Sequence, residues 1–102
     1  MKKVFFDQFE SYCITPGIDS GKARSYSKAI QYLCDYLKIT QIDKHSVEVI
    51  KGLANEINDK NSNVYKNLLL FLSGRRQKSY LEKGFIKAAL TYFFDYCKEN
   101  NL

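Results

Sequence analysis

Along the chain, apolar side chains return every three or four positions with polar ones between them, the 3.6-residue period of amphipathic helices. From Lys2 to Cys13 the inward set is Phe5, Phe6, Phe9, Tyr12 and Cys13, interleaved with Asp7, Gln8 and Glu10. This predicts a first helix that stops at Pro16-Gly17, because proline has no amide to donate and fixes its own φ. A second helix is predicted from Ser20, read as its N-cap, to about Lys38, with Ala23, Tyr26, Ile30, Leu33 and Leu37 on one stripe. Asp43 or Ser46 is placed to cap a third, whose inward positions are Val47, Ile50, Leu53, Ala54 and Ile57 and which breaks at Asn58-Asp59-Lys60-Asn61. Val64 to Leu72 reads as a fourth helix, apolar enough to be expected at the centre of the core and ended by Ser73-Gly74. Ser79 and Glu82 have capping-box spacing ahead of a fifth, with Leu81, Phe85, Ala88, Ala89, Tyr92, Phe93 and Tyr96 on its face. No stretch alternates with period two as a strand would. The expected fold is all-α, a compact bundle of about five helices, with residues 1–102 as a single helical domain, either whole or the N-terminal module of a longer protein.

Composition fits that reading. Hydrophobic residues are 45% of the 102 and charged residues 26%, the balance of a globular chain that folds unaided. The longest apolar run, Leu68 to Leu72, falls far short of the roughly 20 residues that span a bilayer, so no membrane partner is expected. Asp7 and Glu10 interrupt the first apolar stretch before a signal-peptide core can form, which points to the cytoplasm. Three widely spaced cysteines, Cys13, Cys34 and Cys97, each in an apolar pattern, read as buried thiols of a reducing compartment.

Charge changes the picture more. The net charge is +5, and it is clustered. Ser73 to Lys87 holds Arg75, Arg76, Lys78, Lys83 and Lys87 against a single acid, Glu82, while Ser20 to Lys28 holds Lys22, Arg24 and Lys28 with no acid. Both stretches begin with a Ser-Gly pair, and the helices behind them echo each other at an offset of 60: Ala29, Tyr32, Asp35, Tyr36 and Lys38 match Ala89, Tyr92, Asp95, Tyr96 and Lys98. Arginine suits bidentate contact with phosphate, serine hydroxyls add hydrogen bonds, and a tyrosine ring adds a stacking surface. The candidate nucleic-acid-binding residues are therefore Lys22, Arg24, Lys28, Arg75, Arg76, Lys78, Ser79, Tyr80 and Lys83. The plainer reading of the same charges is a solvated connector.

Catalysis is not indicated. The one histidine, His45, has no metal-ligand partner in view, the cysteines lack CxxC spacing, and no Gly-rich phosphate loop or nucleophile motif occurs. No catalytic residue, metal or cofactor is expected.

Ser20 to Leu37 (SGKARSYSKAIQYLCDYL) resembles the helical core-binding, SAM-like domains with which tyrosine recombinases clamp DNA. Arg76 to Tyr96 (RQKSYLEKGFIKAALTYFFDY) more closely resembles the helical N-terminal DNA-binding domains of bacterial restriction endonucleases, which precede a separate nuclease domain. The resemblance implies a DNA-binding module, double-stranded DNA as partner, and Arg75, Arg76, Lys78 and Ser79 as backbone contacts. The chain departs from a complete enzyme of either kind, since it has no Asp/Glu-x-Lys centre, no His-Asn-His cluster and no Arg-His-Arg-Tyr set. The alternative from another class is a small immunity or regulatory protein whose basic face meets an acidic protein partner.

Overall fold

The computed structural model describes residues 2–102, with side chains from residue 3 onward. Among them six helices follow in order: α1 Lys2–Cys13, α2 Ser20–Leu37, α3 Lys44–Ile57, α4 Asn63–Gly74, α5 Ser79–Glu82 and α6 Phe85–Glu99. The all-α architecture is as the periodicity predicts. None of the helices is long and apolar enough to cross a membrane.

α2 and α6 form the most extensively packed pair, and Tyr26 stacks on Tyr92 across it with ring centroids 5.3 Å apart. α1 lies against both. Phe9, fully buried, meets Phe93 edge-on at 5.9 Å, and the buried Ser27 hydroxyl donates to the Phe6 carbonyl at 3.3 Å. α3 and α4 close the remaining side, with Lys51 of α3 above Phe94 of α6 and Phe71 of α4 against Tyr36 of α2. The radius of gyration, 12.8 Å, matches the roughly 13 Å of a compact 100-residue chain.

Local sequence explains the starts of α2 and α3, with one correction. The N-cap of α2 is Asp19 and not Ser20: the Asp19 carboxylate accepts from the Lys22 amide at 2.8 Å. For α3 both candidates act together, because Asp43 accepts from the Ser46 amide at 2.8 Å while the Ser46 hydroxyl accepts from the Asp43 amide at 2.9 Å. The Ser46 amide is also the main reason the Asp43 carboxyl sits below its usual range.

The expectation that α4 is the most buried element fails. Only Tyr65, Leu68 and Leu72 are buried, and Leu70 is 73% exposed. Five consecutive apolar residues sweep more than a full turn at 3.6 residues per turn, so they cannot all face inward.

The predicted fifth helix is two helices. Gly84 takes the left-handed conformation (φ 79°) and separates the single turn of α5 from α6. The Ser79–Glu82 capping box does not form; Ser79 already lies inside the turn, behind a helical Lys78 whose side chain makes no cap bond. The break also turns the α6 face, so Ile86, Ala89, Leu90, Phe93 and Cys97 are buried while Phe85, Ala88, Tyr92 and Tyr96 are only partly so.

Three helices end alike. After α2, Lys38 and Ile39 donate to the carbonyls of Asp35 and Cys34 (3.3 and 2.9 Å). After α4, Arg76 and Gln77 donate to Ser73 and Leu72 (3.0 and 2.8 Å); after α6, Asn101 and Leu102 donate to Lys98 and Cys97 (3.2 and 2.8 Å). This is the Schellman closure, and its left-handed residue is Lys38, Arg76 or Asn101, each at φ 59°. Glycine is the usual occupant. A side chain with a Cβ costs about 1–2 kcal/mol there, asparagine being the best tolerated alternative.

Gly52 presents the opposite mismatch, a glycine in mid-helix whose added Cβ would meet nothing within 4 Å. Gly52→Ala is expected to stabilise the fold by about 0.5–1 kcal/mol, read as a higher urea midpoint at unchanged slope.

Candidate nucleic-acid interface

The basic residues after α4 are held in place by two contacts with α2. Arg75 donates from Nη1 to the Asp35 carboxylate at 2.8 Å, and its guanidinium lies 4.7 Å from the centre of the Phe71 ring. Tyr80 of α5 meets Tyr32 edge-on at 5.1 Å and Phe85 at 5.7 Å. Burial, and after it the nearby Tyr80, raise the pKa of the Tyr32 hydroxyl, while Arg75 works in the opposite direction. The connector 75–80 is thereby laid along the outer side of α2.

Helical geometry fixes which α2 cations share that side. At about 100° and 1.5 Å per residue, Arg24 and Lys28 fall within about 20° of Asp35 around the axis and about 16 and 10 Å from it along the helix. Both are exposed. Arg24, Lys28 and the Arg75–Asp35 pair therefore line one stripe, with Arg76 and Lys78 beside it.

Lys22 does not join them. It lies about 140° around α2 from Asp35 and about 20 Å along it, so only part of the first basic stretch converges with the second.

Two further members of the sequence set change character. Tyr80 is half-buried between Tyr32 and Phe85, which makes it a packing residue that anchors α5. Ser79 is likewise half-buried within that turn. Arg75 is engaged by a carboxylate, in the one ion pair among the described residues, with its side chain 46% exposed. Exposed pairs of this kind contribute about 0–1 kcal/mol, so the bond positions Arg75 more than it stabilises the fold. Arg76, Lys78 and Lys83 are exposed and have no carboxylate within 4 Å among the described residues.

Cations at a helix C-terminus also offset the partial negative charge of its last carbonyls. That accounts for some of the basic character at the end of α4 without any ligand.

Lys38, which the sequence shows only as the echo of Lys98, is a further cation outside the candidate set. It is exposed at the end of α2, one turn beyond Asp35, and lines an open cleft of about 400 Å³ with Thr40, Gln41 and His45. A smaller cleft of about 130 Å³ between α3, α4, α5 and α6 carries Lys60 and Lys87, with Glu82 of α5 also lining it. Among the described residues no group of three or more His, Cys, Asp or Glu side chains is placed to hold a metal ion. The exposed large apolar residues, Val4, Ile14, Val49 and Leu70, stand on four different segments, and single exposed apolar side chains are ordinary.

No protein family, characterised protein or solved structure matches this chain.

Proposed function

We propose that this domain binds the phosphate backbone of double-stranded DNA, as the helical module of a restriction-type system. One observation carries the reading: the Arg75–Asp35 and Tyr80–Tyr32 contacts lay the basic connector beside Arg24 and Lys28, so that cations about 50 residues apart in sequence line one surface. The surface presents Arg24, Lys28, Arg76 and Lys78, with Arg75 fixed among them; Lys83 is exposed just after α5. The restriction-type setting rests on the sequence resemblance alone.

Such a surface neutralises phosphates without reading bases, so affinity is expected to be salt-dependent and weakly sequence-dependent. Contact with three to five phosphates corresponds to a log-affinity against log-salt slope of about −3 to −4.5. Fluorescence anisotropy on a labelled duplex measures it. Arg76→Glu with Lys78→Glu is expected to lower affinity at least tenfold, with helical circular dichroism unchanged. A flat salt response in the unaltered protein ends this reading.

A further inference from the structure

Two cations of this molecule occupy positions where the backbone favours glycine, and they sit on neighbouring helix ends. Lys38 closes α2 and Arg76 closes α4, both left-handed at φ 59°. The two ends are joined by Arg75 on Asp35 and by Phe71 on Tyr36, rings 5.4 Å apart. Two residues before Arg76, Gly74 lies in the last turn of α4, exposed, with open space where a Cβ would be.

Conformation alone would prefer the reverse arrangement, with glycine at the left-handed position and a side chain in the helix. Asn101, at the third such ending, carries no comparable mismatch because asparagine tolerates this conformation. A conformational outlier at an exposed, charged position points toward a role outside the fold. Here the arrangement places two cations, neither with a carboxylate within 4 Å among the described residues, at the helix ends that Arg75 and Asp35 join.

We infer that the adjoining C-terminal ends of α2 and α4 are the centre of the phosphate contact, with Lys38 and Arg76 as its two cations. This rests on the DNA-binding reading above and narrows it. It moves the centre of binding toward the Arg75–Asp35 pair and away from Lys22, and it adds Lys38.

The two ideas separate in one experiment, in which duplex affinity at about 0.1 M salt and melting temperature are measured together. Lys38→Gly and Arg76→Gly are each expected to melt higher than the unaltered protein, because strain is relieved, yet to bind five- to tenfold more weakly, with the salt slope reduced by about one. Lys66→Ala, on the far end of α4, controls for net charge, and Gly52→Ala controls for helix stabilisation. If the unaltered protein binds with a steep salt slope but the Lys38 and Arg76 variants lose no more than Lys66→Ala, this inference is overturned and the broader reading stands. If the unaltered protein shows no salt-dependent binding, the broader reading falls and takes this one with it.

Discussion

Phe93→Ala is expected to destabilise the domain by about 3–5 kcal/mol, a large fraction of the 5–15 kcal/mol that holds a domain of this kind together. Phe93 has no exposed surface, and its ring touches those of Phe5 at 6.0 Å, Phe9 at 5.9 Å and Phe94 at 5.7 Å. Truncation removes the transfer energy of the ring and leaves a cavity where α1 meets α6, which rigid neighbouring rings refill poorly. Urea unfolding followed by circular dichroism measures the loss. Leu70→Ser, at a residue of the same apolar class that faces solvent, is expected to change stability by no more than about 0.5 kcal/mol. A loss below 1 kcal/mol for Phe93→Ala would mean that α1 and α6 do not share this core.

The second large effect is a steep loss of stability in alkali. Burial pushes the thiols of Cys13 and Cys97 up to about 11 from 9.0. The Tyr12 hydroxyl, which donates to Glu99 at 2.6 Å, is pushed up to about 12 from 10.0, chiefly by that hydrogen bond. Each of these groups keeps its proton to higher pH folded than unfolded. The stabilisation is therefore complete below about pH 9 and is lost as pH climbs through 11 toward 12, each buried thiol adding at most about 1.4 kcal/mol per pH unit to the slope. Denaturation midpoints between pH 8 and 12 follow the decline. A Cys13→Ala/Cys97→Ala protein is expected to start less stable but to decline less steeply; an equal slope would remove the thiols from the account.

Much of the fold is written locally. Pro16-Gly17 and Asn58 to Asn61 interrupt the apolar period where α1 and α3 end, and the inward stripe of α2 is the one its spacing indicates. What escaped the sequence depends on tertiary context. Ser79 and Glu82 satisfy a capping pattern, yet the chain needs a left-handed turn at Gly84 to bring α6 against α2, and that requirement overrides the local signal. The α4 run from Leu68 to Leu72 shows that it is apolar but not which of its members find a neighbour.

The candidate interface was legible as two clusters of charge and no further. That Arg24 and Lys28 point the same way as the connector follows from an ion pair between residues 40 apart, and that Lys22 does not follows from its angular position on α2. Lys38 entered the pattern only as the partner of Lys98 in the 60-residue echo; its left-handed position was not legible, because such a residue after a helix announces itself only when it is glycine or asparagine.

The central partner of α2 is α6, the last helix in the order. During synthesis at about 5–20 residues per second, the rings of Phe5, Phe9 and Tyr26 emerge well before Phe93 and Tyr92, the groups they meet across the core. The nascent chain thus carries an uncovered aromatic surface for several seconds, until α6 arrives to cover it.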